Sequence, residues 1–190
     1  MSKGLTLIEM LIAMGMLIIL LGVTMYMFSV VLFSWVSEEE RAGLGVELDR
    51  AVNMMAKDVR EAKKSDTKTI AWLHPKEIRF AVVNSRQADG TPVPNSFSYY
   101  IYYFYNANDR YPNTFTQSVY DLKRCALTGV TGYDPNTGAF TYGSGQIAAN
   151  QLSPVSSLTV NGNTVAIDLS ITKGSETMRA RTEAAARNTQ

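Results

Sequence analysis

The sequence predicts an α+β protein: a long N-terminal helix, apolar at first and then amphipathic, packed on an antiparallel β-sheet. Three observations carry this. Apolar residues run almost unbroken from Leu5 to Val36. Leu44, Leu48, Val52, Met55, Val59 and Ala62 then recur every three or four residues, which is the spacing of one helical face. Beyond Lys64 the period falls to two, as in half-buried strands. No proline lies between Leu5 and Lys64, so both helical patterns belong to one helix. Gly15, Gly22, Gly43 and Gly45 are soft points within it.

The apolar run sets the domain plan. Its 32 residues would stretch about 48 Å as a helix, against a hydrocarbon core of about 30 Å. The helix is therefore expected to emerge from the bilayer and continue. A secretory signal has a core of about 7–15 residues and a small-x-small cleavage site. Ser34-Trp35-Val36-Ser37 offers no such site. Residues 5–36 read as a transmembrane helix, 37–64 as its amphipathic continuation, and 65–190 as a β-rich head. Lys3 precedes the run and Glu38-Glu39-Glu40 follows it. The positive-inside rule then puts the N-terminus in the cytoplasm and the head outside the inner membrane.

One residue in the run is out of place. Glu9 is a carboxylate among Leu, Ile and Met, and charge inside a membrane helix is costly unless it is paired. A cut after Gly4 would create an amine on Leu5. That amine would stand four residues before Glu9, on the same helical face. The Leu5 amine of a neighbouring subunit would serve equally.

The strands follow in order. Ile78, Phe80 and Val82 alternate along Glu77–Val83. Phe97, Tyr99, Ile101, Tyr103 and Tyr105 alternate along Phe97–Tyr105. Residues 119–127 form a third candidate. Val165, Ile167, Leu169 and Ile171 alternate with Ala166, Asp168 and Ser170. Leu158–Val160 and Asn163–Val165 flank Asn161-Gly162, which predicts a hairpin turning at that dipeptide. Residues 177–185 are rich in alanine, yet Met178, Ala180, Thr182 and Ala184 alternate with Arg179, Arg181 and Glu183, so they read as a strand. Turn-rich stretches fall at 88–95, 106–114 and 133–145.

Candidate chemistry is sparse. The chain has 18 basic and 17 acidic residues with no basic cluster, so bulk charge does not predict nucleic-acid binding. His74 is the only histidine, so neither a His-based triad nor a multi-His metal site is expected. Cys125 is the only cysteine, so no intrachain disulfide forms. Asp134-Pro135-Asn136-Thr137-Gly138 spaces oxygen ligands as calcium loops do. It lacks the later acidic ligand, and turn chemistry explains the same residues. The tyrosines of 99–105 could stack on bases or sugars or form an interface. A central strand packed on both faces, one of them on the helix, accounts for them more simply. The expectation is no catalytic site, no cofactor and no metal.

Gly4-Leu5, Glu9 and the apolar run together resemble the leader of type IV prepilins and type II secretion pseudopilins. The match gives a leader of residues 1–4, a first mature residue Leu5 and a mature fifth residue Glu9. It departs from the family in having Leu5 where Phe is commonest, and in a very short leader with one Lys. Leu48-Asp49-Arg50 through Met55–Ala62, then Ile78-Arg79-Phe80, Tyr99–Tyr105 and Leu122-Lys123-Arg124, are similar in order to J-type minor pseudopilins and W-type minor pilins. The resemblance implies cleavage after Gly4 by a prepilin peptidase and N-methylation of Leu5. It also implies pairing of Glu9 with a neighbour's Leu5 amine, and assembly with other pilin or pseudopilin subunits in a tip or initiation complex. Two other classes remain as alternatives: a membrane-anchored binding module for DNA uptake or adhesion, and an anchored extracytoplasmic enzyme.

Overall fold

The computed structural model describes residues 6–62, 70–84, 87–89, 93, 97–109, 111, 115–130, 133–173 and 176–186. They form helix α1 (Leu7–Arg60) and strands β1 (Ile70–His74), β2 (Glu77–Val83), β3 (Phe97–Tyr105) and β4 (Tyr120–Thr128). Strands β5 (Gln146–Leu152), β6 (Ser157–Asn161), β7 (Thr164–Lys173) and β8 (Glu176–Ala185) follow. The class is α+β, with every strand pair antiparallel.

Two compact units divide the chain, residues 1–44 and 45–190. In the first, α1 is bare: none of the residues in its apolar window is buried, and it is long and apolar enough to cross a membrane. The hydroxyls of Thr24, Ser29 and Ser34 are satisfied within the helix. Ser29 Oγ donates to the Tyr26 carbonyl at 2.7 Å and Ser34 Oγ to that of Val31 at 2.9 Å, and Thr24 Oγ1 donates to the Leu20 carbonyl. Such back-bonding suits a helix in lipid, where no water can take those donors.

In the second unit, the remainder of α1 turns Leu48, Ala51, Val52, Met55, Ala56 and Val59 inward. This is the stripe read from the sequence, with Leu44 only half-buried at its start. The helix ends at Arg60; Ala62 leaves it to bridge Val82 of β2. The expected continuation to Lys64 thus stops early, because Ala62 is drawn onto the sheet; residues 63–64 lie outside the described residues.

The strands run in the order β1-β2-β3-β4-β5-β7-β6, with β8 on β7. The sheet curls so that its start meets its end: Leu158 N donates to the Pro75 carbonyl at 2.8 Å. The Lys76 ammonium reinforces this, donating to the carbonyls of Pro154 and Ser156 and lying 4.9 Å from the Phe104 ring centroid. Burial pulls the Lys76 pKa below its ordinary value.

β3 is interior, paired with β2 and β4 along its length. One face carries Tyr102 and Phe104 in register with Ile78 and Leu122, and Tyr102 bonds to the helix residue Asp58. The other face carries Ile101 and Tyr103, which with Cys125 pack under Tyr133, Phe140 and Tyr142. Both faces of the tyrosine strand are therefore covered, as expected of a central strand. Gly138 is required in that cover, because a Cβ there would overlap the Tyr133 ring and the Asp134 carbonyl.

Three further features differ from the sequence reading. The hairpin turns at Gly162-Asn163, not Asn161-Gly162, because Asn161 pairs with Thr164 and Gly162 takes φ +61 at the first central position. β1 and β5 were not expected. β1 is short, and its apolar run Ile70-Ala71-Trp72-Leu73 has no alternation. β5 has the weak strand formers Gln, Ala and Asn and an irregular burial pattern. That irregularity ends at Gln151, whose φ of +56 breaks the register with β4.

Candidate functional site

The N-terminus of α1 is where the motif-bearing residues fall. Gly4 and Leu5 lie outside the described residues, so the expected cleavage and methylation position has no geometry here. Thr6 and Glu9 are described, and they close on each other. The Glu9 carboxylate accepts from Thr6 N and from Thr6 Oγ1, both at 2.9 Å, while Glu9 N donates to Thr6 Oγ1 at 3.4 Å. This reciprocal pair is a capping box, built by a Thr before the first turn and a Glu three residues later. The Thr-x-x-Glu spacing of Thr6 and Glu9 is the sequence signature of this box. The carboxylate is thus oriented toward the helix N-terminus. Further along, Arg41 pairs with Glu38 at 3.4 Å on an exposed face, a contact of little energetic weight.

The head holds two buried polar clusters that the sequence did not reveal. Asp58 is a charged residue on the buried stretch of α1, and it is 6% exposed. Its Oδ2 accepts from Tyr102 OH at 2.6 Å and from Arg124 Nε at 2.7 Å. Arg124 also reaches Tyr102 OH at 3.1 Å and lies 4.2 Å from the Tyr100 ring centroid. Burial drives the Tyr102 pKa well above its ordinary value, aided by the hydrogen bond to Asp58. Burial works against the Arg124 charge, but the Asp58 hydrogen bond and the neighbouring Tyr102 raise its pKa. No local sequence signal marks Asp58, because its partners lie on β3 and β4.

The second cluster sits on the opposite face of the sheet. Glu77 and Arg79 are both buried and pair at 2.5 Å. Tyr142 OH donates to Glu77 Oε2 at 2.7 Å, and Arg79 donates to the Gly138 carbonyl at 2.8 Å and to Tyr133 OH at 3.1 Å. Glu77 and Arg79 alternate with Ile78 and Phe80, and Tyr133, Gly138 and Tyr142 cover the face that they form. Burial pushes the Tyr103 hydroxyl beneath them up to about 12.

His74 closes β1. Asp134 is a turn residue: Oδ1 accepts from Asn136 N at 2.8 Å and Oδ2 from Thr137 Oγ1 at 2.8 Å. These bonds lower its pKa, the Asn136 backbone bond contributing most. Among the described residues, no three of His, Cys, Asp and Glu gather as metal ligands would. No family model, curated protein or solved structure matches this chain.

Proposed function

We propose that this protein is a non-enzymatic structural subunit of the minor pseudopilin or minor pilin kind. In this reading it is anchored in the inner membrane with its N-terminus cytoplasmic and its head periplasmic. A prepilin peptidase cuts after Gly4, Leu5 is N-methylated, and other pilin or pseudopilin subunits take it into a tip or initiation complex. No cofactor, metal or nucleic acid takes part. The observation that carries the reading is α1 itself. One unbroken helix has a lipid-compatible stretch in which no residue is buried, a buried stripe further on, and Glu9 in its first turn. Such a stretch must be covered by lipid or by other subunits.

Glu9 has the role of drawing a neighbour's Leu5 amine, which would replace or extend the Thr6 contacts. The pilin-like binding module for DNA uptake or adhesion is the less favoured reading. Its best candidate surface was the tyrosine strand, and Tyr102 and Tyr103 are buried. Mass spectrometry of the protein from its native membrane tests the proposal. A chain beginning at methylated Leu5 supports it; an intact Met1, or a cut beyond Val36, refutes it.

A further inference from the structure

We propose that the outer edge of β8 is a pairing surface for a second copy of this chain, joined antiparallel about a two-fold axis at Thr182. The inference begins with the regularity of the strand. Ten consecutive residue pairs, Thr164↔Ala185 through Lys173↔Glu176, join β7 to β8 without a bulge. Among the described residues no strand pairs with the other side of β8. A strand this regular presents N–H and C=O groups at ladder spacing along its outer edge. Exposed edges are usually blunted by charged side chains, Lys above all, by Pro, by bulges, by inward-pointing charges or by a covering segment. β8 has no Pro, Lys or bulge and no charge at its described inward positions Met178, Ala180, Thr182 and Ala184. Its exposed charges, Arg179, Arg181 and Glu183, are of mixed sign, so they repel a copy in some registers and attract it in another.

The outward positions decide the partner. Arg179 is committed to Asp168, with Nε 2.7 Å from Oδ1. Arg181 and Glu183 are exposed; Arg181 stands opposite Asp168 and its charge helps lower that pKa, but Arg179 makes the hydrogen bonds there. Arg181 and Glu183 stand two apart on one face with opposite signs. A two-fold axis normal to the sheet keeps each face on its own side, so it must pass through a residue. Centred on Arg181, it sets Arg181 against itself. Centred on Ala180, it sets Arg179 against Arg181, and centred on Glu183 it sets Glu183 against itself. Like charges directly opposite are destabilising. Centred on Thr182, it pairs Arg181 with Glu183 twice, Ala180 with Ala184 twice, and Thr182 with Thr182, a combination that cross-strand pairing favours. The charge pattern is thus self-complementary in one central register. The closed, isologous contact that results does not depend on how the chain is anchored or assembled.

Cross-linking tests this on the full chain in detergent micelles, with Cys125→Ser removing the native thiol. Thr182→Cys with a short bismaleimide should give a covalent dimer, and Thr116→Cys, in an exposed loop, should not. Arg181→Glu or Glu183→Arg should each cut the Thr182→Cys yield at least about fivefold, since each turns two attractive pairs into two repulsive ones. The double exchange, Arg181→Glu with Glu183→Arg, should restore it. Circular dichroism confirms that every variant is folded. No cross-link at position 182, a yield insensitive to the charge exchanges, or a link to a different protein would each overturn the proposal. Association through the apolar helix alone would leave position 182 unlinked, and so counts against it.

Discussion

Replacing Asp58 with alanine should be among the most damaging single changes in the head. The carboxylate is 6% exposed and accepts from two donors, Tyr102 OH at 2.6 Å and Arg124 Nε at 2.7 Å. Removing one partner of a buried ion pair costs about 3–5 kcal/mol, because the other charge is left uncompensated. The Arg124 side chain is 22% exposed, so water recovers part of its solvation, which places the loss near the lower end. Tyr102 is fully buried and would lose its acceptor. Its contribution overlaps with that of the ion pair and is not added in full. The expected cost is about 3 kcal/mol, or about 10 °C in Tm for a domain of this size. Asp58→Asn keeps an acceptor for Tyr102 and loses only the charge, so about half of that is expected. Urea unfolding of a head fragment beginning at Ser37, followed by circular dichroism, measures both. Lys57→Ala, on an exposed face of the same turn, is the control and should stay within about 0.5 kcal/mol of wild type. An Asp58→Ala cost no larger than that of the control would refute the assignment of Asp58 as the tie between helix and sheet.

Glu9→Gln should leave membrane insertion intact and reduce recruitment into the filament or minor-subunit complex. Co-purification with other subunits reads this, and wild-type recruitment would show that the charge is not used in assembly. Lys76→Met keeps the apolar stem but leaves the Pro154 and Ser156 carbonyls without its ammonium, at a cost of about 1–3 kcal/mol in a urea melt. The Arg179 hydrogen bond holds the Asp168 pKa below its ordinary 3.8. Stability from that pair is therefore complete above about pH 4 and is lost as the pH falls through the lower, folded-state value. Asp168→Asn should flatten the acid limb of a Tm-against-pH curve only slightly, since Arg179 is largely exposed. An unchanged acid limb would show that the pair adds nothing.

The fold was legible wherever burial repeats with a fixed period. The stripe from Leu48 to Val59 and the alternation in Phe97–Tyr105 are periodic, and both elements appear where the pattern places them. The hairpin was legible in kind but slipped by one residue, since Asn161-Gly162 and Gly162-Asn163 are both acceptable turn pairs and only strand register separates them. β5 was hidden because the bulge at Gln151 breaks the period. Of the candidate site, Glu9 stood out by polarity alone. Asp58, Glu77 and Arg79 did not, because the groups that make their burial tolerable lie far away in sequence and belong to the fold rather than to any motif.

The curled sheet also orders events in time. β1 to β4 form a meander in which each strand pairs with the next, so these contacts can form as the chain emerges from its N-terminus. The closing contacts are different. Lys76 and Ser156 are 80 residues apart, and closing so long a loop must wait until β6 exists. Until then β1 has no neighbour on its open side, and Pro154 and Ser156 have not delivered their carbonyls to Lys76. A chain synthesised from its N-terminus therefore spends its most aggregation-prone interval after β4 and before β6. Within that interval, a chaperone that shields the open edge of β1 would improve yield.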